Sequence, residues 1–319
     1  MTKMESTPTQ RSLAPRGRPR LFAMVTTRKS RDYTPTAIQT FLSTTPLRSE
    51  DRLVLISNDD PEGLAAFRGE SRVELVSNPQ PKGFAENANV MIDEALRTGS
   101  DLFFMNNDVV FFDRWLEPLL GRDDIVLSPL SNREVQYVAS VVVVATKHVA
   151  DTTVVKAPMQ LEEYQRFPRM FDAIVEAHKK SSFGLLPVIV LPFFCIRLPL
   201  PVLRRVGKFD TRFGVAGGED YDYCFRLWLA GIPVSFELNS YLLHFWGKST
   251  TTDDVGPAYD QEFLSIFKEK WGEKLFSVVL HESSKPIDED PVARSCRERQ
   301  DMAGIVRALQ TKENEIFLP

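Results

Sequence analysis

Four short apolar runs, each ending in polar residues, constrain this chain more than any other feature. They are LFAMVTT (Leu21–Thr27), RLVLISN (Arg52–Asn58), VELVSN (Val73–Asn78) and DLFFMNND (Asp101–Asp108). Runs of this length suit strands buried on both faces, as in a parallel sheet. Between them lie helical patterns, one through Ile38, Phe41 and Leu42 and one from about Glu86 to Arg97 closed by Gly99. Such alternation predicts an α/β layer with a mostly parallel sheet, whose ligands bind beyond the carboxyl ends of the strands. Those ends, Thr26-Thr27, Asn58-Asp59, Asn78 and Asn106-Asn107-Asp108, are all polar.

The second half is less regular. A strand is predicted at Tyr137–Ala145, a helix at Leu161–Lys180 and a buried strand at Val188–Arg197. An acidic helix follows from Glu219 to Gly231, then a strand ending at His244. Beyond about Leu280 charge rises, so 282–319 is expected to be a charged extension with one peripheral helix. Residues 1–20 carry five basic residues against Glu5 and are expected to form a disordered basic tail.

With 43% hydrophobic residues among 319, the chain can bury one large core or two modest ones. A net charge of -4 argues against a nucleic-acid partner. Cys195, Cys224 and Cys296 show no CxxC spacing, which points to a reducing, cytoplasmic setting. The most lipid-like stretch, Leu185–Leu203, holds four prolines and Arg197, so no transmembrane segment is expected.

Three places can carry chemistry. In GGEDYDYCFRLWLAG (Gly217–Gly231), Tyr221, Cys224, Phe225, Trp228 and Leu229 form a helical apolar stripe, and Glu219, Asp220 and Asp222 crowd the first turn. Acids there satisfy orphan N–H groups and the helix dipole, and Asp222 can pair with Arg226; the same carboxylates can also serve as a base. Asp108, at the end of FFMNND, is either an Asx-turn residue or the single carboxylate that Mg²⁺ and Mn²⁺ often share with substrate phosphates. His244 ends an apolar strand before Trp246 and Gly247, as a rim residue or a ligand. His148, His178 and His281 lack such context.

Two phosphate loops are excluded. GKST at Gly247–Thr250 lacks the leading glycine of a P-loop, where Leu242 stands, and Gly214, Gly217 and Gly218 do not give GxGxxG.

Taken in order, KGFAENAN (Lys82–Asn89), NND followed by Trp115-Leu116, VGKFDTRFGVAGGEDYDYCFRLWLAG (Val206–Gly231) and His244 to Ser249 resemble a family 2 glycosyltransferase of the GT-A fold, rhamnosyltransferase-like members included. The resemblance spans about Leu21 to Ser249. It implies a Rossmann-like α/β fold with a central mixed, mostly parallel sheet flanked by helices. One catalytic domain, 21–281, would comprise a nucleotide and metal half (21–120) abutting an acceptor half (121–281).

By the same resemblance, Thr26, Thr27, Asp59, Gly83, Asn89, Asn106 and Asn107 would line the nucleotide-sugar site. Asp108 would bind Mn²⁺ or Mg²⁺, with His244 as a further ligand. Asp220 would be the base, with Glu219 second. Asn106 departs from the family's DxD, leaving one carboxylate fewer for the metal. The implied reaction is inverting transfer from a nucleoside-diphosphate sugar to a glycan, lipid-linked or other hydroxyl acceptor, which can place the protein at a membrane periphery. The base is expected to keep an ordinary carboxylate pKa and to act mainly through its hydrogen bond to the acceptor. The alternative is a catalytically inactive nucleotide-sugar or glycan binding protein on the same fold. A nucleotidyltransferase fits less well, since RKSRDYTP after the first strand has no glycine.

Overall fold

The computed structural model describes residues 17–132, 159–248 and 256–311. The expected strand at Tyr137–Ala145 and His148 lie outside them. All four leading apolar runs form strands: β1 (Arg20–Thr26), β2 (Arg52–Ser57), β3 (Val73–Ser77) and β4 (Asp101–Met105). Between them stand α1 (Thr34–Thr44), opened by Pro35, and α2 (Phe84–Thr98), closed by Gly99 in the left-handed region at φ 70°.

The remaining strands are β5 (Val109–Val110), β6 (Val126–Ser131), β7 (Leu185–Pro187), β8 (Cys195–Leu198) and β9 (Val234–His244). The further helices are α3 (Leu161–Arg166), α4 (Pro168–Ser181), α5 (Leu200–Val206), α6 (Glu219–Leu229) and α7 (Gly256–Val279), the last broken at Gly272. The sheet runs β3-β2-β1-β4-β8-β6-β9-β5, with β7 also on β9. Pairing is parallel from β3 to β4 and between β6 and β9, and antiparallel where β8, β7 and β5 join.

Apolar layers close both faces. On one, Phe22 stacks on Phe103 at 4.8 Å and meets Phe41 edge-on at 5.1 Å, and all three are fully buried. Each buried phenyl contributes about 1.5–3 kcal/mol. Among the described residues no helix is long and apolar enough to cross a membrane.

Four expectations change. The helix expected at Leu161–Lys180 is two helices, because Pro168 cannot continue α3 and instead opens α4. The buried strand expected at Val188–Arg197 is strand only from Cys195. Pro187 and Pro192 lack the N–H that a ladder needs, so residues 188–194 run as a buried strap. Helix α6 satisfies that strap: Trp228 Nε1 donates to Ile189 O at 3.0 Å, and Cys224 Sγ accepts from Leu191 N at 3.3 Å.

Among the described residues beyond 282 there are three helices, α8 (Lys285–Glu289), α9 (Pro291–Glu298) and α10 (Met302–Leu309), rather than one peripheral helix. Ile287, Ala293, Met302, Ile305, Val306 and Leu309 are buried in the main core. Their helical spacing is masked by the surrounding charge. At the other end, Gly17–Arg20 are not tail. Arg48 donates to the carbonyls of Gly17 and Arg18, Arg18 pairs with Asp101, and Arg20 opens β1.

Candidate active site

The β5–β9 register sets the first part of the site. Val109 lies opposite His244, and Phe245 N donates to Asp108 O at 2.9 Å. This brings His244 Nε2 to 3.4 Å from Asp108 Oδ1, with both side chains buried. Asp108 Oδ2 accepts from Lys248 N at 3.3 Å, while Oδ1 receives no hydrogen bond. The His244 ring stacks on Phe194 at 4.9 Å, and its backbone N donates to Asn132 Oδ1 at 2.8 Å. Burial opposes ionisation of Asp108, yet His244 and the Lys248 N–H outweigh it and hold the carboxyl below its usual range. Among the described residues no cluster of three or more His, Cys, Asp or Glu side chains could hold a metal. Asp108, through its buried Oδ1, and His244 could together hold only part of a divalent cation's shell, the rest being left to phosphate oxygens.

Beside this pair lie the ends of β1, β2 and β4. Asn58 N donates to Thr26 O, and Asp59, exposed, accepts from Arg28 N at 2.8 Å. Thr26 is buried with its hydroxyl on Ile56 O, whereas Thr27 bonds Ser30 Oγ at 2.9 Å. Asn107 is also buried and donates to Ser30 and Thr34, pinning the β4 end to the start of α1. Asn106 is partly exposed, and its N donates to Phe194 O at 2.7 Å.

Two other predicted residues join α2 to the segment before α6. A side chain at Gly83 would meet Gly214 O at 2.1 Å, so only glycine fits there. Asn89 accepts from Phe209 N at 2.7 Å and donates to Phe209 O at 3.0 Å.

The three acids of α6 separate by role. Asp222 is fully buried and structural: it meets Arg226 at 3.0 Å, Trp271 Nε1 at 2.9 Å and Lys270 at 2.6 Å. Glu219 is buried and accepts from Gly217 N. Asp220 is partly exposed, accepts from Tyr221 N at 2.8 Å and faces the Phe193 N–H. Burial raises the pKa of both, Glu219 to about 7, and repulsion from Glu219 raises Asp220 further. The expectation of an ordinary carboxylate pKa is therefore corrected: two acids share one poorly hydrated helix start.

The strap links the two parts. Phe193 touches the Asp220 carboxylate, and Phe194 stacks on His244. Sequence reasoning missed Asn132 and a cluster in which Asn78 Nδ2 donates to both Asn58 Oδ1 and Asn87 Oδ1 at 2.8 Å. Their signal was present, since Asn132 follows β6 as Asn58 and Asn78 follow β2 and β3. A surface depression of about 500 Å³ beside Leu42–Leu47, Arg72 and Glu117 lies at the far end of α1 and shares none of these groups.

The raised pair predicts a pH dependence of two signs. The folded chain holds these protons to higher pH than the unfolded chain. The stability contributed by protonated Glu219 is whole below about 4.5 and is lost as pH rises through about 7. Glu219→Gln should therefore match wild type near the lower limit and exceed it above the upper one, as denaturant titrations at both pH values would show.

These features define an α/β protein with the GT-A fold. No family model matches the sequence, and no curated protein is significantly similar to it. Solved structures are similar. GalNAc-T7 with UDP, GalNAc and Mn²⁺ matches at TM-score 0.56 and 13% identity, over 94% of this chain and 57% of that one. This chain thus spans little more than half of GalNAc-T7. The mannosyltransferase PcManGT of Pyrobaculum calidifontis, in complex with GDP-Man and Mn²⁺, gives 0.48 and 14%, over 98% and 82% of the two chains. TarS of S. aureus gives 0.47 and 10%, over 82% and 40%.

Proposed function

We propose that this chain is an inverting glycosyltransferase of the family 2 type, moving a hexosyl or deoxyhexosyl group from a nucleoside-diphosphate sugar to an acceptor hydroxyl. The observation that carries the reading is the meeting of Asp108 and His244 at 3.4 Å, one strap residue away from the Asp220 carboxylate. That GalNAc-T7 shares the fold and holds UDP, GalNAc and Mn²⁺ supports it.

Thr27, Asp59 and Asn106 would face the nucleotide, while Thr26, Gly83, Asn89 and Asn107 shape the pocket through their protein partners. Asp108 and His244 would hold a divalent cation, Mn²⁺ or Mg²⁺, which when bound neutralises charge on the departing diphosphate. Asp220 accepts the proton of the acceptor hydroxyl as that oxygen bonds the anomeric carbon. The bond from that carbon to the diphosphate oxygen breaks on the opposite face, and its electron pair leaves with the nucleoside diphosphate. Glu219, anchored on Gly217 N, raises the proton affinity of Asp220 and so makes it a stronger base. Turnover should accordingly rise with pH as the pair ionises, opposite in sign to its effect on stability.

The test is binding of UDP, GDP and dTDP followed by thermal shift, with Mn²⁺ and with EDTA. One diphosphate should raise the melting temperature in Mn²⁺, and Asp108→Ala should weaken it about 10- to 100-fold. Equal affinity in EDTA would remove the metal from the reading. The second reading, a binding protein without turnover, is favoured by Asn106, which leaves Asp108 as the single carboxylate at the β4 end. Tight donor binding with no transfer to any sugar, lipid or peptide acceptor would select it.

A further inference from the structure

Asn132 directly follows β6, fully buried, and its two polar atoms have different fates. Oδ1 accepts from His244 N at 2.8 Å, which fixes the carboxamide plane. Nδ2, one carboxamide width away, finds no acceptor among the described residues. A buried amide donor left in this state is costly, and native chains rarely keep one without a use. On the ring side of His244 stands its complement, Asp108 Oδ1, buried and without a hydrogen-bond donor among the described residues. The two atoms do not satisfy each other. A ligand presenting a cation to Asp108 and anionic oxygens to Asn132 would satisfy both together, and a metal-chelated diphosphate has that shape of charge.

We propose that Asn132 is a donor-binding residue whose Nδ2–H donates to a diphosphate oxygen of the nucleotide sugar, while its Oδ1 holds the His244 backbone in register. The inference rests on the glycosyltransferase reading and adds a ligand contact that Asp108 and His244 do not supply. Asn132 thereby ties the acceptor half of the sheet to the phosphates. A purely structural asparagine would need only its acceptor.

Two variants separate these roles. Asn132→Ala removes both atoms, whereas Asn132→Asp keeps an acceptor for His244 N and replaces the donor with a second acceptor. Affinities for UDP, GDP and dTDP are measured by calorimetry at saturating Mn²⁺, with the far-ultraviolet spectrum and melting temperature recorded for each variant. For whichever diphosphate binds wild type, both variants should bind about 10-fold or more weakly, the scale of one lost hydrogen bond to a charged group. If Asn132→Asp binds as wild type while Asn132→Ala does not, Asn132 serves only His244 and the proposal is overturned. Wild-type affinity in both variants overturns it equally. If Asn132→Asp fails to fold, Asn132→Ala alone still decides, since undiminished binding there excludes any contact. Should wild type bind none of the three diphosphates, the glycosyltransferase reading itself falls.

Discussion

Asp220→Asn is expected to lower turnover about 10²- to 10⁴-fold, the range lost with a general base. The amide keeps the size of the side chain and the oxygen that accepts from Tyr221 N at 2.8 Å, so the start of α6 stays formed. Donor affinity should barely change, because Asp108 before β5 and His244 at the end of β9 lie apart from α6 in the fold. Stability should move by no more than about 1 kcal/mol, the scale of one charge at a helix terminus. Steady-state rates beside donor titrations check all three. Turnover that survives Asp220→Asn but not Glu219→Gln would move the base by one residue.

Two positions on, Asp222→Ala should do the reverse. It takes the carboxylate from buried Arg226, takes one of two carboxylates from buried Lys270, and removes the acceptor of Trp271 Nε1. Breaking a buried pair from one side costs about 3–5 kcal/mol, because the remaining charge is left in a poorly hydrated place. Lys270 retains Asp210 at 2.8 Å, which places the loss toward the lower end of that range. Denaturant unfolding measures it, and a loss below about 1 kcal/mol would show that water reaches the cluster. Thus one turn of helix carries the proposed base and a fold-holding group two residues apart.

That separation was only half legible in the sequence. The Asp222–Arg226 pair followed from spacing four apart on a helix. Lys270 and Trp271 could not be foreseen, because nothing local ties them to residue 222. The same division applies to the fold. Strands β1, β2 and β4 were readable because each is a continuous apolar run buried on both faces. The strap at 188–194 reads identically but is not a strand. Its prolines break the ladder, and the partners that replace it, Cys224 and Trp228, come from a later helix. At the candidate site, polar strand ends marked Asp108 and His244, whereas the raised carboxyls of α6 depend on burial by the strap and α7, which no short motif encodes.

The position of β8 between β4 and β6 bears on how the chain is made. The expected division at residue 120 into a nucleotide half and an acceptor half does not mark units that can assemble separately, since β8 and β6 complete the sheet that β1 to β4 begin. During synthesis Asp108 leaves the ribosome well before Asn132, the strap and His244, and the β4 edge stays open until β8 arrives. Pairings this distant in sequence are slow to form and expose sticky edges meanwhile. With the proposed donor site, the nascent chain would have nothing for a nucleotide sugar to fill, and the ligand would stabilise only a chain whose β9 is already docked.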